Sequence, residues 1–262
     1  MTITARTRLI ALIGHPASDA GSPPAVNAWL EENGIDARMM ALDVPPADLP
    51  HFLALLRASE SFVGCSVTYP HKQTVFAAVD AMTERGRRLG ALNTIRREPG
   101  GQLRGDATDG MAMLSALAAK GHAIAGAGAR IIGAGGGAGR AIADAFAEAG
   151  AGALCLEDTD PGRLDRTFAL VRSAYPDVKI ELAADDRFDI FVNATTLGKS
   201  ADDAVPFSNV GFSADAIYCD VVTGPAPTPM IESAKAAGAG TISGHEMAKH
   251  QVQAQMRFLS PF

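Results

Sequence analysis

Cysteine, aromatic side chains and clustered basic charge are all scarce in this 262-residue chain. The three cysteines, Cys65, Cys155 and Cys219, stand singly within apolar runs. Their odd number and the lack of CxxC spacing suit reduced, buried thiols and exclude a disulfide framework or a thiolate zinc site. Aromatic residues make up 6% with one tryptophan, Trp29, and read as core and surface filling. The formal net charge is -6 and no Lys/Arg block interrupts the chain, which excludes nucleic acid and anionic membranes as partners. In the opening MTITARTRLIALIGHPAS, Gly14, His15 and Pro16 end the apolar run too soon for a signal peptide or a spanning helix, so a cytoplasmic location is expected.

Several chemical signatures are missing as well. HEMAKH sets His245 and His250 five residues apart, on well-separated faces of a helix, so it is not a zinc HExxH and no metal is expected. No GxSxG nucleophile elbow occurs. No internal repeat of solenoid period is visible.

What the chain does have is apolar content of 47%, enough for two modest cores, and a regular alternation of short aliphatic runs with longer segments of helical period. RLIALIG, ARMMALDV and FVGCSV read as strands, with PPAVNAWLEENG and PADLPHFLALLRAS as helices between them. The segment from Lys72 to Arg88 reads as helical, and LNTIRRE and GQLRGD as two extended pieces joined by a PGG turn. A fresh start follows in TDGMAMLSALAAKG, a helix opening behind Asp109. Beyond it ARIIGAGGGAGRAIADAFAEAGA, ALCLED, PGRLDRTFALVRSA, KIELA, DIFVNAT, ADAIYCDVV and TPMIESAKAAG repeat the pattern. The expected architecture is α/β in two domains. The first, 1–106, has a mostly parallel sheet and is completed by the last helix, 244–262; the second, 107–243, is a doubly wound Rossmann domain.

Gly133, Gly135 and Ala138 fit GxGxxA directly after the strand ARII and before a helix expected to begin near Gly139. Glycines there permit a tight turn and bring the backbone close to a pyrophosphate, while the helix N-terminus offers free N–H groups. No Lys-Ser or Lys-Thr follows, which excludes a P-loop. Asp158 lies about 20 residues on, where a carboxylate accepts both ribose hydroxyls and repels a 2′-phosphate. The residues therefore favour NAD, with NADP as the alternative. Asp160, immediately before Pro161, is the expected cap of the following helix.

The stretches GCSVTYPHK, GALNT, GDATDG, GAGGGAGRA, NATTLG, PTPMIESAKAAG and SGHEMAKHQ occur in the order found in shikimate dehydrogenases, and from about Leu9 onward the chain resembles that family. The resemblance implies that the first domain binds substrate. It also implies a reversible nicotinamide-dependent oxidation of a ring hydroxyl of shikimate, quinate or a related cyclic hydroxy acid. By that resemblance Lys72 matches the catalytic lysine and Asp109 its aspartate partner. Such a pair suits the chemistry, because a lysine of adjusted pKa can take the hydroxyl proton as hydride leaves. Substrate positions carry over to Ser22, Ser66, Thr68, Asn93, Thr223 and Gln251. Cofactor positions carry over to the turn Gly133, Ala134, Gly135, Gly136, Gly137 and Ala138, and to Asp158, Asn193, Thr195, Val221 and Gly244. LEDTDPGR is similar to the NAD-preferring members rather than to the Asn-Arg-Thr pattern of the NADP enzymes.

Four positions depart from the family pattern. Ala20 stands for a serine, Ser66 and Ala107 for asparagines, and Thr223 for a tyrosine. A polar partner left unmatched costs about 1–3 kcal/mol, so these changes bear on which acid is bound. Two alternatives stay open: a non-catalytic regulatory relative, and an NADP-dependent dehydrogenase of a non-shikimate substrate. A monomer or a homodimer is expected.

Overall fold

The computed structural model describes residues 2–260 apart from 19, 182–187, 201 and 225. The chain forms two compact units, Met1–Thr108 with Val252–Phe262, and Asp109–Gln251.

In the first unit the elements are β1 (Arg8–Gly14), α1 (Ser22–Glu32), β2 (Ala37–Asp43), α2 (Leu49–Ala58), β3 (Phe62–Val67), β4 (Ala81–Met82), α3 (Glu84–Leu89), β5 (Thr94–Arg97) and β6 (Leu103–Asp106). The sheet order is β2-β1-β3-β5-β6-β4. Pairing is parallel except where β5 meets β3 and β6. Alternation along β1 sends Ile10 and Leu12 to one face and Ala11 and Ile13 to the other. The first face packs with Val26 and Leu30 of α1 and with Val252, Met256 and Leu259 near the C-terminus. The second packs with Leu49, Phe52, Leu53 and Leu56, the i, i+3, i+4, i+7 stripe of α2. Covering both faces is why RLIALIG and FVGCSV read as continuous apolar runs. At the β2 edge the Asn27 amide donates to the Met39 carbonyl at 2.9 Å and accepts from its N–H at 2.8 Å. A side chain there completes the ladder of an edge strand.

The segment from Lys72 to Arg88 is not the helix its composition suggests. Turns over 69–74 lead into a short 3-10 turn at Val75–Ala77, then β4, and only Glu84–Leu89 is α-helical. Tertiary pairing wins over helical propensity here. Asp80 exchanges bonds with Leu103 in both directions (2.9 and 2.6 Å) and is gripped by Arg57, and β4 then pairs with β6. Thr83 restarts the helix by accepting from the Gly86 N–H at 3.2 Å.

The second unit runs α4 (Asp109–Ala119), β7 (Gly128–Ile132), α5 (Gly137–Glu148), β8 (Ala153–Glu157), α6 (Pro161–Ala174), β9 (Lys179–Glu181), β10 (Ile190–Asn193), β11 (Ile217–Asp220), α7 (Pro229–Ala236) and β12 (Gly240–Ile242). The last helix, α8 (Gly244–Leu259), starts in this unit, and its residues from Val252 belong to the first. All pairs in the sheet β12-β11-β10-β7-β8-β9 are parallel. This is the doubly wound Rossmann order, with its topological switch between β7 and β10. Of KIELA, the part after Glu181 lies outside the described residues. The strand β12 is too short to show a period in the sequence; it is fixed by pairing with β11. At the start of α8, Ser243 and Glu246 form a capping box, the Glu246 carboxylate accepting from the Ser243 N–H and hydroxyl at 2.9 and 3.0 Å.

Candidate active site

The switch point is where β7 ends and the chain turns into α5. Gly133 takes φ +76°, and a Cβ there would lie 2.8 Å from the Ala194 carbonyl group and from Thr195 Cγ2. Only glycine tolerates both the dihedral and the approach. The helix begins at Gly137 with Gly136 in the cap position, two residues earlier than Gly139. Gly139 serves the packing of helix on turn, since a Cβ on it would press into the Gly133 carbonyl oxygen and the backbone of Ala134. It is the close-packing glycine of the turn, at a position the GxGxxA spacing does not include. Thr167 of α6, fully buried, holds the turn from below by donating to the Ala134 carbonyl at 3.0 Å.

Asp158 follows the end of β8. One carboxylate oxygen accepts from the Gly135 N–H at 2.9 Å and the other from the Asp160 N–H at 2.9 Å. Asp160 caps α6 by accepting from the Arg163 N–H at 3.0 Å, as its place before Pro161 implies. A cavity of about 510 Å³ lies over these strand ends, lined by Gly133, Gly136, Asp158 and Thr195 together with Glu157 and Arg163. Glycine backbone, a helix N-terminus and a carboxylate at the rim are the parts a dinucleotide requires, and the residues present fit one. The lining also holds Arg163, the last residue of LEDTDPGR, to which the sequence assigns no role of its own; it is exposed and 3.3 Å from Asp160.

Asn193 does not line that cavity. It is fully buried, and its amide donates to the Leu197 carbonyl (3.0 Å) and to Asp220 (3.2 Å) while accepting from the Thr195 N–H (3.1 Å) and hydroxyl (2.6 Å). It shapes the 193–197 loop that carries Thr195. Val221 follows β11, its N–H bonded to the Asn193 carbonyl at 3.1 Å, and Thr223 is exposed two residues on. Asp109 is the first residue of α4, buried, and accepts from the Gln251 amide at 2.6 Å. Two residues that are 142 apart in sequence are thus joined within the second unit.

In the first unit, Lys72 is half-buried in the turn after β3, its carbonyl accepting from the Leu92 N–H at 2.8 Å. It does not open a helix, so no macrodipole acts on it there. Thr68 stands at the head of the same turn, its carbonyl accepting from the His71 N–H at 3.0 Å. Buried Asn93 is braced by Thr108, whose N–H donates to it at 2.8 Å. Ser22 is the first residue of α1 and Gly21 occupies the cap position. Ser66 donates to Gln255 at 3.2 Å, each side chain only 4% exposed. Gln255 carries no signal in the sequence; it looks like one more polar residue of a surface helix until β3 supplies its partner. Ala20 packs into an apolar cluster beside Trp29, and Ala107 is buried.

The family described as the shikimate dehydrogenase substrate binding domain matches residues 12–95. The NADP(+)-named shikimate dehydrogenase of Rhodospirillum rubrum is 37% identical over 257 residues, covering 95% of this chain and 90% of its own length. The structure of shikimate 5-dehydrogenase from Listeria monocytogenes in complex with shikimate and NAD superposes with a TM-score of 0.86 at 27% identity, covering 98% of this chain and 94% of that one. The ligand-free 5-ketofructose reductase of Gluconobacter sp. strain CHM43 superposes with a TM-score of 0.85 at 26% identity, covering 97% and 100%. With this identity over nearly its whole length, the chain belongs to the shikimate dehydrogenase family, NAD(P)-dependent oxidoreductases acting on CH–OH groups.

Proposed function

We propose that this dehydrogenase uses NAD to oxidise, reversibly, a ring hydroxyl of shikimate, quinate or a related cyclic hydroxy acid, with Lys72 and Asp109 as its proton-handling pair. The observation that carries the cofactor reading is the Asp158 carboxylate at the cavity rim, set on the Gly135 N–H at 2.9 Å. A fixed carboxylate there accepts from ribose hydroxyls and repels a 2′-phosphate. A bound nicotinamide would supply the acceptor for the hydride that leaves the carbinol carbon. The Lys72 amine takes the hydroxyl proton, so that one C–H and one O–H bond give way to a carbonyl. The Asp109 carboxylate, steadied by Gln251, orients that amine. In the reverse direction the lysine ammonium returns the proton.

Shikimate occurs in the name of the Rhodospirillum relative and in the Listeria complex, whereas the Gluconobacter relative is named for a keto sugar. Ser66 and Thr223 are smaller than the family residues, and Gln255 bonds Ser66, which supports a cyclic acid whose ring substituents differ from those of shikimate. NADP is a second reading favoured by one specific observation: Arg163 lines the same cavity, and an arginine there can hold a 2′-phosphate. The test is NADH formation by the purified protein with NAD across a panel of cyclic hydroxy acids. Turnover of at least one member is expected; silence across the panel, with NADH still bound, contradicts the proposal.

A further inference from the structure

Asp220 lies at the last position of β11, fully buried. One of its carboxylate oxygens accepts from the Val222 N–H at 2.8 Å and from the Asn193 amide at 3.2 Å; the other accepts from the Thr228 hydroxyl at 2.6 Å. Every one of these partners donates, so the site is shaped for an ionised acceptor in spite of burial, which pushes this carboxyl above the usual range. The partners belong to two stretches, the end of β10 and the segment after β11. Asn193 shapes the loop after β10 that carries Thr195, while Val222 and Thr228 stand on the segment after β11 that starts with Val221. That second segment is also held against α8, because a Cβ on Gly244 would press into the Val222 carbonyl and His245 bonds the Gly224 carbonyl at 2.5 Å. Asp160 and Thr167 secure the glycine turn and α6, whereas these bonds of Asp220 lie at the β10–β11 end of the sheet.

We propose that Asp220 is the positioning residue for the nicotinamide half of the cofactor, its buried carboxylate tying residues 193–197 at the end of β10 to residues 221–224 and Thr228 beyond β11. The inference rests on the dinucleotide reading above: with Asp158 and the glycine turn holding the adenosine half on the β7–β8 side of the switch point, the other half of the cofactor falls on the β10–β11 side. It assigns the two halves of the cofactor to separate supports: Asp158 and the glycine turn for the adenosine and pyrophosphate, and the Asp220 network for the reacting ring. Misplacing a reacting group by about 1 Å costs on the order of 100-fold in rate, so the expected signature is kinetic before it is structural.

The full-length variants Asp220→Asn, Asp220→Ala and Thr228→Val are compared with the wild type for kcat and KM with NAD, and for the Kd of ADP-ribose, which has the adenosine half and lacks nicotinamide. Asp220→Asn should lower kcat/KM for NAD about 10- to 100-fold while ADP-ribose affinity moves less than about twofold, with Thr228→Val shifting the same way by less. If Asp220→Ala does not fold, the other two variants still decide. Parallel loss of ADP-ribose affinity and activity in Asp220→Asn would make the residue merely structural and overturn the proposal, as would unchanged kinetics in both Asp220→Asn and Thr228→Val. Failure of the wild type to bind ADP-ribose would instead overturn the dinucleotide reading itself, and this proposal with it.

Discussion

The two sheets of this protein bury comparable cores but make their sites from different material. In the second unit the site is mostly backbone: a glycine turn, a helix N-terminus and a carboxylate fixed on a main-chain N–H. In the first unit the candidate groups are single side chains, Lys72, Thr68, Asn93 and the Ser66–Gln255 pair, on a sheet whose pairing is partly antiparallel. A backbone-made site tolerates few alternatives, because a Cβ in the wrong place collides with main chain. A side-chain-made site can be retuned one residue at a time. The cofactor end is therefore written in a spacing, and the substrate end in individual identities.

Lys72→Ala should break the comparison most sharply. It should lower kcat by about 100- to 10,000-fold while ADP-ribose affinity stays at the wild-type value, as steady-state kinetics and titration calorimetry would report. Next in size, if Asp158 accepts from the ribose hydroxyls as proposed, Asp158→Ala should cut the NAD-over-NADP ratio of kcat/KM by about 10- to 100-fold, with Arg163→Ala moving the ratio the opposite way. Gly139→Ala forces a methyl group into the Gly133 carbonyl, and thermal unfolding should show a loss of about 1–3 kcal/mol along with weaker cofactor binding.

The smallest effect concerns pH. Burial raises the Glu246 carboxyl, but bonds from Lys120 and Ser243 outweigh it and bring the group down to about 2. A carboxyl depressed in the folded state adds stability that is complete above its unfolded value near 4.5 and fades as pH falls toward about 2. Urea midpoints measured across that window should decline, and decline less steeply in Lys120→Met.

Much of the molecule is legible in its sequence, for identifiable reasons. Aliphatic runs such as ARII and FVGCSV announce buried strands because both faces are covered, and GAGGG between a strand and a helix announces the turn. What escapes depends on contacts distant in sequence. Lys72 to Arg88 reads as helix until Asp80 and Met82 meet β6. Gly139 resembles any glycine of an Ala/Gly-rich helix until the Gly133 carbonyl is seen against it. Thr167, Asp220 and Gln255 are ordinary polar letters whose partners, Ala134, Thr228 and Ser66, no local pattern links to them. Asn193 reads from its motif as a cofactor position, yet its buried amide is engaged with the loop that presents Thr195.

The central claim, that the crevice beside β7 and β8 is a site for NAD, is tested most directly by titrating the wild-type protein with NADH and with NADPH in a calorimeter. NADH should bind tighter by about 10-fold or more, the penalty for setting a 2′-phosphate against Asp158. Tighter binding of NADPH would contradict the claim and give Arg163 the deciding role.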